Sequence, residues 1–381
     1  MTPTTSPLMP AAPLPAKNRT PWLTAAVGGF IASLFVLHMF RAATFSLNPD
    51  EALHYQMAHQ LSFKDAYASN NANAHPPLMI AIFHFWSKLG ASEWFLRLVP
   101  LCAYCGFLWF AHGWLVRLLG PATALAGVAI AGLAPPLFNL AIEMRHYMLL
   151  LCWMMAALFA MEKAADARSW RWTAASMMAL YLAILSDYSA LWFAAGFGAY
   201  GLSLVLGRRL SAAGVAAWLI GQVGAAGLYV WLYCTQIVYL RNAEIAKEAR
   251  EGWLRPYYCL PGDDRLAYLA ENTRGLFRYF FASRSIAWAA GVLCAAGLIV
   301  LLRRVEWRAR KDGFARLVAL VAVSWLAAAA AALAGLYPYG GTRHSVFLVP
   351  FIATAMAIGL AALTRQRLLA LSGLLIVLMT F

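Results

Sequence analysis

Five short segments carry residue types that can do chemistry. NPDEALHY (residues 48–55) sets Asp50 and Glu51 directly after Pro49, and NANAHPPL (residues 71–78) places His75 before a proline pair. AIEMRHYMLL (residues 141–150) brings Glu143, Arg145, His146 and Tyr147 close together, and LSDYSALW (residues 185–192) holds Asp187 and Tyr188. YPYGGTRHSVF (residues 337–347) follows a glycine pair with Arg343 and His344. A carboxylate can take a proton from a hydroxyl, and a guanidinium fork can neutralise a departing phosphate. Asp50 and Glu51 are the candidate catalytic carboxylates, and Arg145 and Arg343 the candidate anion clamps. His75, Glu143, His146, Tyr147, Asp187, Tyr188 and His344 are expected to complete a substrate site. Carboxylates and imidazoles also suit a divalent ion, for which Glu51, His75 and Glu143 are the candidate ligands by type, with no spacing that fixes them.

These residues must be positioned by membrane helices. Of the 381 residues, 62% are apolar and 12% charged, with mean hydropathy +0.65. A soluble chain is about a quarter charged, so this one lacks the polar surface to cover a globule. At roughly 20 residues per crossing, most of the chain can be spent on spanning helices. The fold expected is all-α: one polytopic domain over residues 22–381, behind a Pro-rich disordered cytoplasmic tail over residues 1–21. Apolar segments of spanning character lie near residues 22–40, 96–116, 121–141, 143–161, 172–186, 188–207, 211–235, 286–302, 314–336, 345–363 and 368–381, about 11 membrane helices in all. The first run is too long for a signal-peptide core and reads as a retained anchor. The stretch from Pro76 to Leu89 is short and carries His84 and Lys88, which suits an interfacial helix.

Charge fixes the orientation. With the amino terminus inside, inner segments collect 16 Lys and Arg against four acids, and the outer ones hold 14 bases against 12 acids. This is the asymmetry that orients membrane proteins, and it assigns the excess of 30 bases over 16 acids to topology, not to nucleic-acid binding. A first outer loop then runs over residues 48–95 and a long one over residues 236–285, and all five constellations fall on the outer face. Within the second loop, Leu266, Leu269, Leu276, Phe277, Phe280 and Phe281 recur at near-helical spacing against Arg265, Glu271, Arg274 and Arg278, which predicts an amphipathic helix from Arg265 to Phe281 lying on the outer leaflet. Single cysteines in a Cys-free background test the orientation. One at Glu248 should label with a membrane-impermeant thiol reagent in intact cells and one at Glu306 should not; the opposite pattern reverses the topology.

The cysteines build no secreted framework. Cys102 and Cys105 form a CxxC inside an apolar helix and read, with Cys152 and Cys294, as buried thiols; Cys234 and Cys259 fall where a disulfide could form. His38 and His112, within helices, read as hydrogen-bonded core histidines.

The order of DEALHY after a first membrane helix, HPPL about 25 residues later, SEWFLRLVPL running into RLLG, and EMRHYMLL after a proline pair resembles the bacterial family 39 glycosyltransferases of the GT-C superfamily. That family includes protein O-mannosyltransferases and lipid A aminoarabinose transferases. The resemblance covers about residues 45–165 and is looser through DYSALW and TRHSVFLVP, where relatives often carry a histidine in place of Asp187. It implies an acidic catalytic residue in the first outer loop, which falls on Asp50 as the expected base, and a polyprenyl-phosphate sugar donor, whose phosphate Arg145 and Arg343 would clamp. The expected activity is therefore transfer of a sugar to a protein, lipid A or a glycan at the periplasmic face of a bacterial inner membrane. The chain shows no P-loop, Rossmann glycine fingerprint or Asp-x-Asp motif, which argues against a nucleotide-sugar donor. A non-catalytic transporter or flippase of lipid-linked glycans would share the basic and aromatic lining, and an assembly subunit could use the outer loops to bind a partner. The clustering of acids on one face beside Asp50 and Glu51 favours transfer.

Overall fold

The computed structural model describes residues 21–70, 75–242, 244–281, 283–305 and 313–364. The tail up to residue 20, the expected final span over 368–381 and much of the inner loop 303–313 lie outside the described residues. The described chain is helical, without strands. In order come α1 (Pro21–Thr44), α2 (Pro49–Ala58), α3 (Phe63–Ser69), α4 (Leu78–Trp86), α5 (Glu93–Leu96), α6 (Leu98–Leu119), α7 (Pro121–Leu133), α8 (Pro135–Leu140) and α9 (Tyr147–Ala167). They are followed by α10 (Trp170–Ser186), α11 (Ala190–Leu206), α12 (Ala212–Leu232), α13 (Val238–Asn242), α14 (Glu244–Glu251), α15 (Arg265–Phe281), α16 (Arg284–Arg304), α17 (Gly313–Leu333) and α18 (Val349–Leu363).

Local chemistry sets the breaks. Gly120 ends α6 at φ +83°, a conformation without cost for glycine, and Pro121 starts α7 at N1, where its missing N–H is no loss. The Pro135–Pro136 pair separates α7 from α8, so the expected span over 121–141 is two helices. Seven described helical segments are long and apolar enough to cross a membrane: Trp22–Thr44, Glu93–Leu119, Tyr147–Ala167, Ala212–Leu240, Arg284–Arg304, Gly313–Leu333 and Arg343–Leu363. The chain is an integral membrane protein. The expected spans over 121–141, 172–186 and 188–207 fall on helices shorter than these. All six cysteines are free thiols, Cys234 and Cys259 included.

Burial separates the centre from the lipid-facing rim. The most apolar stretches of α9 and of Arg343–Leu363 are 83% and 89% buried within the protein, against 22% for α1 and for α12. Helix α9 packs on α6 and α10, α18 on α7 and α16, and α11 on α17. The α16–α18 crossing is closed by small residues: a Cβ at Gly297 would collide with the Ala355 carbonyl oxygen, and one at Gly359 with that of Leu293. Close backbone approach of this kind is how membrane helices gain packing without a hydrophobic driving force between them.

Two charges assigned above to the inner loops are instead inside the bundle. Glu162 lies on α9 at 1% exposure and Arg316 on α17 at 6%. The Arg316 Nη2 donates to Glu162 Oε2 at 2.8 Å and its Nε to Oε1 at 2.9 Å, and the Tyr200 hydroxyl also donates to Oε1. Helix α9 runs five residues beyond Glu162, so the acid is covered by neighbouring helices and must be paired there. The end of the bundle that carries α2 to α5 is built differently. Short helices α2 to α5 lie between α1 and α6, and α15 spans the range its apolar spacing predicts, with Tyr268, Asn272, Leu276, Phe280 and Phe281 turned inward.

Candidate active site

Helix α2 is started by the residues that carry the chemistry. Asn48 is its N-cap: its side chain accepts from Glu51 N at 2.9 Å, and its own N–H donates to Glu51 Oε2 at 3.0 Å, with Pro49 locking the first turn. This reciprocal box leaves Asp50, the residue between, at 47% side-chain exposure, while Glu51 turns inward and is 1% exposed.

Glu51 meets Arg97 at the start of α6. Arg97 Nη2 donates to Glu51 Oε2 at 3.0 Å and Nε to Oε1 at 3.3 Å, and the Met144 N–H donates to Oε1 at 2.8 Å. The same guanidinium donates to the carbonyls of Ala42 at 3.1 Å, Ser46 at 3.0 Å, and Phe45. It thereby satisfies carbonyls left open where α1 ends. Glu51 and Arg97 thus tie the end of α1, the start of α2, the start of α6 and the 141–146 loop into one knot. Both oxygens of Glu51 are used in this, so the geometry gives it a positioning role where the sequence suggests a metal ligand.

Asp50 faces the other way, to two cations from distant segments. Arg145 Nη1 lies 2.7 Å and Arg343 Nη2 2.8 Å from Asp50 Oδ2. Both forks close on the same oxygen, and among the described residues no donor is bonded to Oδ1. Partial burial raises the Asp50 pKa, but Arg145 and Arg343 together outweigh that and hold it below its ordinary value of 3.8. Asp50 therefore stays ionised at every working pH, with Oδ1 open to take a proton. For kcat/KM, which reports the free enzyme, this predicts no acid limb from Asp50 between pH 7 and about pH 5. A carboxylate limb centred above pH 5 would show that the arginines do not hold it down. Arg145 itself is 4% exposed, and its guanidinium carbon lies 5.6 Å from the centre of the Tyr147 ring. Glu143 is half-buried next to these charges, its pKa raised by burial against the pull of Arg145 and Arg343.

Behind the Asp50 pair sits a buried imidazole cluster. His75, held through its carbonyl by Asn70 Nδ2 at 3.0 Å, has its ring 3.8 Å from that of His146 and 5.9 Å from that of His54. His54 Nδ1 donates to the Asp50 carbonyl at 2.6 Å, since a carbonyl can only accept. Burial, reinforced by Arg145, pushes His54 down to about 3, and burial with the neighbouring His146 and Arg145 charges pushes His75 well below 6.5. His146 is lowered by burial although Asp187 pulls it up, and its Nε2 lies 2.6 Å from Asp187 Oδ2. The Ser189 N–H donates to Asp187 Oδ1 at 2.6 Å and fixes the carboxylate.

One ligand-type atom from each of His75, His146 and Asp187 lies within 4.8 Å of the others. His146 Nδ1 is buried with no hydrogen-bond partner among the described residues, and neutral imidazoles with a carboxylate are the donor set a zinc-like ion takes. These three residues fit a divalent metal. Of the ligands the sequence suggests, His75 is in this group; Glu51 and Glu143 are not, because they face Arg97 and the Asp50 arginines.

Tyr188 donates to Gln236 Oε1 at 2.9 Å, and the Tyr337 hydroxyl donates to the His344 carbonyl at 3.1 Å. Sequence reasoning leaves Arg97, His54 and Gln236 aside. Arg97 is visible as a lone cation entering an apolar run, and Asn48 to Glu51 spells a capping box. Gln236 carries no such signal: it sits in the single π-helical turn Tyr233–Ile237 that follows α12.

Residues 74–233 match the model of the family described as dolichyl-phosphate-mannose-protein mannosyltransferase, a stretch that includes His75, Glu143 to Tyr147, Asp187 and Tyr188 but not Asp50 or Arg343. No curated protein matches the chain. Among solved structures it is similar to ArnT from Cupriavidus metallidurans bound to undecaprenyl phosphate, with TM-score 0.53 and 17% identity over 91% of this chain and 62% of that one. It is also similar to the oligosaccharyltransferase of Archaeoglobus fulgidus in complex with Zn and sulfate, with TM-score 0.52 and 12% identity over 93% of this chain and 51% of that one. The same archaeal enzyme, AglB, in complex with an inhibitory peptide and a dolichol-phosphate gives TM-score 0.51 at 11% identity. The chain spans about three fifths of the length of ArnT and about half that of AglB. The likeness is one of fold, shared with these membrane proteins.

Proposed function

We propose that this GT-C-fold membrane protein transfers a sugar from a polyprenyl-phosphate donor to a hydroxyl acceptor on a protein, lipid A or another glycan, at the outer face of a bacterial inner membrane. The observation that carries the reading is Asp50 Oδ2 held by Arg145 and Arg343 at 2.7 and 2.8 Å, with Oδ1 open, at one end of a helical membrane bundle. A donor with its tail in the bilayer presents its phosphate at this level. Its phosphate competes with Asp50 for the two guanidiniums, which then face the bond that breaks.

The step is a single displacement. The acceptor oxygen forms a bond to the anomeric carbon as the bond from that carbon to the phosphate oxygen breaks, and the electron pair leaves with the phosphate. The acceptor proton goes to Asp50 Oδ1, and configuration at the carbon inverts. Arg145 and Arg343 stabilise the charge growing on the phosphate, and a fixed fork does this without reorganising. A divalent ion on His75, His146 and Asp187 would add Lewis-acid stabilisation of the same phosphate. Glu51 and Arg97 hold α2 so that Asp50 points into the cleft.

Purified protein in nanodiscs, given a labelled polyprenyl-phosphate sugar and an envelope extract, should move label to an acceptor. Label that crosses the bilayer still attached to the donor, with no transfer, would make the protein a flippase instead. In the same assay Arg145→Ala and Arg343→Ala should each weaken donor binding and slow turnover, and Arg343→Lys should restore only part of it, because a point charge cannot make the paired contact. Wild-type donor affinity and turnover in both Ala variants would remove the arginines from phosphate recognition.

A further inference from the structure

Helix α15 has two working faces. The inward one carries Asn272, which donates to the Pro256 carbonyl at 3.3 Å, and Gly275, which packs against Gly341 two residues before Arg343. The opposite face, with Ala267, Ala270, Arg274 and Arg278, turns toward the first turns of α16 and encloses a groove of about 540 Å³. The floor of the groove is made of small residues, among them Ala287 and Gly291 of α16, and Phe277 closes one side. Along α16 it runs from Arg284 to Ala295, a rise of about 16 Å, or roughly half the hydrocarbon thickness of a bilayer. Trp288 and Val292, which line it, are 57% and 66% exposed, so it opens sideways at the depth of one leaflet.

The mouth is basic. Arg274, Arg278 and Arg284 stand against one acid, Glu271, which pairs with Arg274 and lies 3.5 Å from Arg278. Arg284 has no acidic partner among the described residues. A narrow apolar slot of leaflet depth, with guanidiniums at the headgroup level and a tryptophan at the interface, is complementary to one kind of molecule: a lipid with an anionic headgroup.

We propose that this groove is a binding site for an anionic phospholipid of the outer leaflet, with its phosphate between Arg278 and Arg284 and an acyl chain along the Ala287–Gly291 floor. The site is separate from the transfer centre, since α15 stands between the groove and the Gly341–Arg343 segment. The bound lipid wedges α15 against α16, and its binding needs no transfer activity.

Native mass spectrometry on protein released from nanodiscs of equal phosphatidylglycerol and phosphatidylcholine tests this. Wild type should retain phosphatidylglycerol about tenfold over phosphatidylcholine, as expected for two arginines near a headgroup. The Arg278→Ala/Arg284→Ala variant should lose most of that preference while its melting temperature in detergent stays put, and the double Lys variant should keep much of it. Gly291→Leu, which fills the floor and leaves all three arginines in place, should expel the lipid. Equal retention of both lipids by wild type would overturn the site, and so would an unchanged preference in either the Ala or the Leu variant. Displacement of phosphatidylglycerol by a polyprenyl phosphate lacking its sugar at lower concentration would make the groove a donor-tail channel instead.

Discussion

Asp50→Asn should lose at least about 100-fold in turnover while still binding donor, because a positioned base typically contributes 10²–10⁴-fold and asparagine cannot accept the acceptor's proton. The geometry sharpens the expectation for binding. Asp50 Oδ2 occupies both Arg145 and Arg343, so a neutral side chain frees two guanidiniums for the donor phosphate. Donor affinity in the variant should equal or exceed that of wild type, which separates a chemical defect from a folding one. The capping box is formed by Asn48 and Glu51 and does not use the Asp50 carboxylate, so α2 should keep its start in the variant. Single-turnover rates and donor titrations of purified wild type and variant are the measurements. Normal turnover in Asp50→Asn would end the displacement mechanism with Asp50 as base.

The second large effect is on folding. Arg97 and Glu51 are each 2% exposed as side chains and paired at 3.0 Å, and Arg97 also serves three carbonyls where α1 ends. Removing one partner of a buried pair leaves the other charge unpaired and costs about 3–5 kcal/mol. Glu51→Gln or Arg97→Ala should therefore cut the yield of folded protein and lower its melting temperature sharply. For Glu51→Gln this revises the sequence-based expectation, in which the residue sits beside the chemistry. Replacing both at once with apolar residues of similar volume should recover part of the stability, since no charge is then stranded. A Glu51→Gln protein that melts like wild type but is inactive would return Glu51 to the chemistry.

Much of this molecule is legible in the chain itself. An apolar content of 62% with 12% charge leaves a membrane bundle as the physical solution, because no water-soluble surface can be built from it. Gly120–Pro121 and Pro135–Pro136 mark helix ends by backbone chemistry alone, and α15 follows from its apolar spacing over Arg265 to Phe281. Asp50, Arg145 and Arg343, which meet at one carboxylate oxygen in the structure, are also singled out in the chain by residue type.

Which of them touch was decided by the tertiary structure. Asp50 and Arg343 are 293 positions apart, and no local pattern links them; they meet because folding brings the first turn of α2 against the segment before α18. The division of labour between neighbours was equally hidden. Asp50 and Glu51 are adjacent carboxylates with the same intrinsic chemistry, and sequence reasoning cannot say which one turns out. A helix separates consecutive side chains by about 100°, so one faces the cleft and the other the Arg97 knot. His75, His146 and Asp187 come from three loops and form a metal-type cluster only once α9 and α11 are packed. Glu162 and Arg316 show the same limit: composition counts their charges, but only packing puts them 2.8 Å apart inside the bundle, where removing either would strand the other's partner atoms.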